Sequence, residues 1–347
     1  MRERFFFLLS GEHETIPASE LNSVLKLLDP EAKIQETESG RIILAETSEE
    51  AAREAVRRTA YTKLCGRLVG ISETSPEAIL SLIGGEAVER LIPPTASTMA
   101  VRGKRIMGAS IDRLKLERMI GERILELRPG LRVDLEKPDI MIFFISSPSE
   151  TVVGSLVEMK PKHFFYDRLA GRRPFSLPSA MQPDLSRAMI NLAGIEPGGL
   201  ILDPFAGTGG IMIEGILLGY RVYGIELKRW IAEGALKNLR HYTPGEENII
   251  VGDARKPMFR EKIFDAIVTD PPYGRSTTVP DRSVITLLDN FLEGCLALLK
   301  DCGKIVMAAP AELGLEELIE KHELRLRESH IVHVHGSLVR RVVVLER

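Results

Sequence analysis

Apolar residues in this chain keep two rhythms, and the changes between them mark its elements. From Gly199 onward, short apolar runs alternate with segments of helical period. Strands are predicted near 200–203, 221–225, 248–252, 264–269, 303–308, 325–334 and 338–345, and helices near 210–219, 228–240, 284–299 and 312–322. Such alternation predicts an α/β domain with a mostly parallel, doubly wound sheet. Sheets of that kind bind ligands beyond the carboxyl ends of their strands, where strand order reverses.

The earlier part of the chain has a different order. Strands at 4–9, 41–45 and 61–71, with helices at 17–28 and 48–60, imply a small α+β module of ferredoxin-like type over residues 1–74. A second module is expected over 75–149. It has a helix at 77–83, a strand at 97–102, a helix opened by Ser110-Ile111-Asp112, and the apolar run Ile140 to Ile145. Residues 150–172 read as a linker. A helix over 183–193, amphipathic through Leu185, Met189, Ile190 and Leu192, then leads into the third domain, 173–347.

With 347 residues, 44% hydrophobic and 27% charged, the chain can build two or three proper cores. No apolar run reaches membrane-spanning length, and the start, MRERFFFLLSGEHE, turns acidic too soon for a signal peptide. No membrane partner and a cytoplasmic location are expected. Cys65, Cys295 and Cys302 are too widely spaced for a disulfide framework or a zinc ribbon. His330, His333 and His335 lack partner ligands in the sequence, so no metal is expected. The net charge of −3 leaves nucleic-acid binding to local patches.

Chemistry concentrates where strands end. The run Phe264 to Thr269 is followed by Asp270-Pro271-Pro272-Tyr273-Gly274. Two prolines fix φ and remove two N–H groups, so the chain leaves the sheet extended. A carboxylate, carbonyls and a ring gathered there suit an amine carried on a flat ring system: Asp270 and Pro271 accept its protons, Pro272 shapes the turn, and Tyr273 stacks. The first strand of the third domain ends in Asp203-Pro204-Phe205-Ala206-Gly207-Thr208-Gly209-Gly210. No lysine follows, as a P-loop requires, and Met212 stands where a dinucleotide fingerprint has glycine. An acid beside the loop would repel a pyrophosphate but suits a cationic amino-acid tail, which points to S-adenosylmethionine. Glu226, closing the second strand, is placed to accept ribose hydroxyls, with Leu227 beside it. Asp253 closes the third, placed to accept from the adenine amine, with Ala254 behind.

Basic residues cluster in two places. Residues 101–137 hold ten Lys or Arg against six Asp or Glu, with Arg102, Lys104 and Arg105 just before the helix. Residues 160–173 interleave Lys160, Lys162, Arg168, Arg172 and Arg173 with Phe164-Phe165-Tyr166. The second stretch suits a groove for stacked bases or, equally, a connector that packs its rings and solvates its charges.

The segment running from VRGKR through RLKLERMIGERI to VDLEKPDIMIFFI resembles a THUMP domain, which implies RNA binding beside a base-modifying enzyme. Together with DPFAGTG, GIE, GDA and DPPYGRS, nearly the whole chain resembles the archaeal tRNA methyltransferases that act on the 2-amino group of guanine 10. That resemblance implies a Rossmann-like class I methyltransferase domain behind ferredoxin-like and THUMP domains. It also implies S-adenosylmethionine as methyl donor, tRNA as partner, Arg102, Lys104, Arg105, Arg172 and Arg173 as RNA contacts, a dimethylated product and a monomer. Guanine at tRNA position 6, ribosomal RNA and adenine are the alternative targets; a non-catalytic RNA-binding protein is the alternative class.

Overall fold

Each apolar run predicted as a strand becomes one, and two sheets collect them. The computed structural model describes residues 2–256, 258–272, 281–335 and 338–347. The chain divides into two units. The first takes the chain up to Gly11, Leu28–Arg57 and Thr62–Lys160; the second takes Glu12–Leu27, Arg58–Tyr61 and Pro161–Arg347.

In chain order the first part contains β1 (Arg2–Leu9), α1 (Ile16–Leu28), β2 (Lys33–Glu36), β3 (Ile42–Ser48), α2 (Glu49–Arg58) and β4 (Thr62–Glu73). There follow α3 (Pro76–Ser81), α4 (Gly85–Leu91), β5 (Thr98–Arg105), α5 (Arg113–Leu127), β6 (Arg132–Val133), β7 (Ile140–Ser146) and β8 (Glu150–Met159). Their strands form one sheet in the order β2-β3-β1-β4-β8-β7-β5-β6. The antiparallel half β2-β3-β1-β4 is the ferredoxin-like pattern expected of residues 1–74. Two corrections apply. Residues 150–159, expected to begin a linker, are β8, which pairs with both β4 and β7; its buried Thr151 to Val153 explain why. The helix α1 and residues 58–61 belong to the second unit. There Ile16 joins the main core, and the buried Glu20 carboxylate accepts from the amides of Ala60 (2.6 Å) and Tyr61 (2.9 Å) and from Asn191 Nδ2 (2.8 Å).

The second unit continues with α6 (Pro183–Leu192), β9 (Leu200–Asp203), α7 (Gly210–Leu217), β10 (Arg221–Glu226), α8 (Arg229–Tyr242), β11 (Ile249–Val251) and β12 (Phe264–Thr269). It ends with α9 (Asp281–Cys295), β13 (Leu299–Pro310), α10 (Glu316–Lys321), β14 (Arg325–His335) and β15 (Leu338–Glu346). Strand order is β11-β10-β9-β12-β13-β15-β14. All pairings are parallel except those of β15, which runs antiparallel to both neighbours. One face, with Ile201, Val222, Val268 and Val342, packs with α6 and α7. The other, with Leu202, Ile267, Met307 and Val343, packs with α9. Strand order reverses between β9 and β12, which opens a crevice at their carboxyl ends.

Close packing beside that crevice requires glycine at 224 in β10. A Cβ there would lie 2.3 Å from Met212 Sδ and 2.9 Å from Ala206 Cβ. Gly224→Ala is expected to destabilise the protein by about 1–3 kcal/mol, read as a lower urea midpoint at unchanged slope.

Candidate active site

The loop after β9 is shaped by two left-handed glycines, Gly207 (φ 52°) and Gly209 (φ 80°), the latter opening α7. Ala206 N–H donates to the Ile225 carbonyl at 2.9 Å, and Gly207 N–H donates to Glu226 Oε2 at 3.1 Å. The other Glu226 oxygen accepts from Lys228 N–H at 2.8 Å. A carboxylate has about four acceptor positions, so Glu226 is oriented without being saturated. From below, Asn238 of α8 donates to the Thr208 carbonyl at 2.9 Å and exchanges two 2.8 Å bonds with the Phe175 backbone.

Across the crevice, Thr269 Oγ1 at the end of β12 donates to Asp203 Oδ1 at 2.8 Å, and Phe205 N–H reaches the same oxygen at 3.3 Å. Asp203 is 1% exposed. Burial pushes its carboxyl from 3.8 up to about 7, against the pull of those two hydrogen bonds, with the charges of Asp270 and Glu226 adding to the rise. Asp203, Glu226 and Asp270 therefore share one electrostatic neighbourhood. Asp203 ends β9 and Asp270 follows the last residue of β12, which runs parallel to it, so both stand at the same end of the sheet. Asp270 is paired with Arg340 of β15, Nη2 to Oδ2 3.0 Å, both side chains largely buried (14% and 7% exposed).

Residues 74–147 match the THUMP domain family, and residues 170–341 match the family described as RMKL-like, methyltransferase domain. The chain is 35% identical to the tRNA (guanine(10)-N2)-dimethyltransferase of Methanothermobacter thermautotrophicus, over 98% of each chain. It is 37% identical to the enzyme of that name from Pyrococcus abyssi, over 77% of this chain and 79% of the relative. This chain belongs to that methyltransferase family. The crystal structure of TrmN from Thermus thermophilus shares its fold, with a TM-score of 0.58 and 22% identity over 99% of this chain and 100% of that one.

The family's remaining expected residues fall as follows. Phe205 packs edge-on against Phe291 (5.3 Å between centroids) and so backs the loop. Thr208 is buried; Leu227 is 63% exposed beside Glu226. Ala254 is buried, and its carbonyl accepts from the Cys295 thiol at 3.6 Å. Asp253 stands apart from the other acids: Arg255 holds it through both oxygens at 2.6–3.1 Å and depresses its pKa. A purine amine would have to compete with that guanidinium. Pro271 is buried and Pro272 exposed. Tyr273 lies outside the described residues.

In the first unit, Lys104 and Arg105 line a hollow of about 550 Å³ together with Gly103, Gly108, Ala109 and Arg113. Burial, then the nearby charges of Lys63 and Arg41, lower the Lys104 pKa, so the hollow sits in a concentrated positive field. Arg102 does not line it; its guanidinium donates to the Leu135 carbonyl at 3.1 Å. In the second unit Arg172 is exposed and stacks on the Tyr166 ring at 3.5 Å. Arg173 is corrected. It is 5% exposed and donates to the carbonyls of Arg168 and Met181 (both 3.1 Å) and toward Thr208 Oγ1 (3.4 Å). A guanidinium spent on the cofactor loop is unavailable to a phosphate. Phe164 and Phe165 likewise pack under Arg168 and Arg187, which share the buried Glu214 carboxylate at 2.6 and 2.8 Å. Phe164 and Phe165 pack as a connector would, whereas Tyr166 is 44% exposed.

Sequence reading missed Thr269, Asn238 and Arg340. Only Arg340 left a trace: a charge in a strand whose next positions on that face, Val342 and Val344, are core.

The raised Asp203 pKa has a fixed sign. In the native state the carboxyl holds its proton to about pH 7, whereas the unfolded chain releases it near 3.8. Its contribution to stability is therefore complete below pH 3.8 and lost as pH rises toward 7, at up to about 1.4 kcal/mol per unit. Asp203→Asn is expected to remove this component from the ligand-free protein. Denaturation midpoints of the two proteins between pH 4.5 and 8 should diverge in the variant's favour as pH rises; parallel curves would contradict the shift.

Proposed function

We propose that this protein transfers methyl groups from S-adenosylmethionine to the 2-amino group of guanine 10 in tRNA, twice in succession, while its first unit grips the RNA. The observation that carries this reading is that buried Asp203 feels the charge of Asp270, the two standing at the same end of neighbouring parallel strands. The donor set fits the cofactor. Asp203, Glu226 and Asp270 share one electrostatic neighbourhood at the crevice, which favours an ammonium and a sulfonium and disfavours phosphate. Asp203 would hold the amino-acid end, the Gly207–Gly209 loop would admit its backbone closely, and Glu226 would take the ribose hydroxyls. Bound there, S-adenosylmethionine supplies an electrophilic methyl group.

The chain's own residues then work on the amine. The 2-amino lone pair of guanine is delocalised into the ring and nucleophilically weak. Donating its protons to the Asp270 carboxylate and the Pro271 carbonyl turns that lone pair out of the ring plane. Alignment of this kind is worth about 7–11 kcal/mol in favourable cases. Asp270 also stabilises the positive charge that grows on the nitrogen. After one methylation a single N–H remains, so Asp270 alone can hold the amine for the second round. The base must leave its helix to reach the crevice, and folded RNA is gripped by shape and phosphate, for which the hollow at Lys104 and Arg105 is suited.

Reaction of unmodified tRNA with labelled cofactor should place the label in dimethylguanosine at position 10; label in adenine or at another guanine would overturn the assignment. Asp270→Ala should lower single-turnover methyl transfer about 10³-fold and leave cofactor affinity within a few-fold; wild-type turnover in that variant would remove Asp270 from the chemistry. Replacing Lys104 and Arg105 by glutamate should weaken tRNA binding and reduce the slope of log K against log salt by about 1–2. An unchanged slope would make the hollow a solvated surface.

A further inference from the structure

We infer that Arg340 is a positioning residue for methyl transfer: it orients the Asp270 carboxylate and keeps it ionised so that it accepts from the amine. The inference rests on the reading of Asp270 as that acceptor. Arg340 stands in β15, in register with Pro310 of β13 and Val332 of β14. The next residues on its face, Val342 and Val344, are 0% and 2% exposed, and Val332 is 1% exposed. A guanidinium buried in a row of valines carries a heavy desolvation cost unless a carboxylate meets it. The sheet order puts β13 between β15 and β12. Two strand spacings of about 4.8 Å therefore separate the two backbones. An arginine is long enough to close that gap over β13, whose residues on this face are Pro310, in register with Arg340, and the small Ala308. Arg340 Nη2 meets Asp270 Oδ2 at 3.0 Å.

The neighbourhood explains why a fixed cation is needed. Burial, with the charges of Asp270 and Glu226 adding to it, drives Asp203 toward its neutral form. Acids crowded in a dry site cannot all stay ionised unless cations accompany them. A protonated Asp270 would present a hydroxyl and lose half of its acceptor capacity. A guanidinium at 3.0 Å favours the charged form of the carboxylate, so Asp270 remains an acceptor.

The test uses Arg340→Met, Arg340→Lys and Asp270→Asn in the full-length protein. It follows single-turnover methyl transfer to tRNA against pH, with cofactor affinity by calorimetry and thermal unfolding in parallel. Arg340→Met should slow transfer about 100-fold with cofactor Kd within threefold, and should move the acid limb of the rate profile up by at least one pH unit. Arg340→Lys should recover at least tenfold of the loss. In the Asp270→Asn background, Arg340→Met should cost less than a further twofold, because the arginine acts through the carboxylate; this comparison holds even if the single variant is less stable. Full activity in Arg340→Met, a rate loss with an unmoved pH profile, or additive losses would each overturn the assignment. Full activity in Asp270→Asn would instead remove the reading of Asp270 itself, so the two failures are told apart.

Discussion

Among the described residues, the side-chain hydrogen bond from Thr269 Oγ1 to Asp203 Oδ1 ties the tips of β9 and β12 together. Strands β9 and β12 pair only through Ala266–Ile201 and Ile267–Leu202. Beyond that point the chains part, because each next helix must leave toward its own face of the sheet. The backbone ladder can no longer set the distance between the strand tips. A hydroxyl on one and a carboxylate on the other take over, and they fix how far the crevice opens. The acid of the first loop and the acid of the second, Asp270, thereby acquire a common frame.

Charge is the second constraint, and each acid meets it differently. Glu226 is held by two backbone amides, an arrangement that orients it without neutralising it. Asp270 is given a guanidinium. Asp203 has a hydroxyl and an amide but, among the described residues, no ion pair, and its carboxyl is driven up to about 7. A cation brought to Asp203 would favour its ionised form, since among the described residues no ion pair does so. The methyl donor that the family's chemistry implies carries its ammonium at one end, so the site's charge imbalance and the ligand's polarity match.

Local signals were legible in the sequence and long-range partnerships were not. Apolar runs of strand length gave β9, β10, β12 and β13 within a few residues, and Asp203, Glu226, Asp253 and Asp270 stand at or just beyond strand ends as expected. These are properties of short segments. Arg340 meets Asp270 across seventy residues of chain, Asn238 meets Thr208 across |i−j| of 30, and Glu20 meets Asn191 across 171. No periodicity encodes such pairs; each depends on sheet order. Arg173 illustrates the converse error. A basic residue beside aromatics has the composition of a nucleic-acid contact, and only burial distinguishes it from an anchor.

That anchor changes what the catalytic unit consists of. The loop from Gly207 to Gly209 is rigid because Arg173 and Asn238 hold Thr208, and Asn238 in turn grips the Phe175 backbone. The connector that delivers Arg173 is itself fixed by Arg168 and Arg187 on Glu214 of α7, under Phe164 and Phe165. On the same side of the chain, α1 and residues 58–61 enter this unit through Glu20 and Asn191 of α6. Segments written before the alternating strand–helix pattern begins thus hold its first loop and its first helices in place. The strand–helix alternation specifies where a cofactor can be bound, but the geometry of that binding is completed by residues lying outside the alternation.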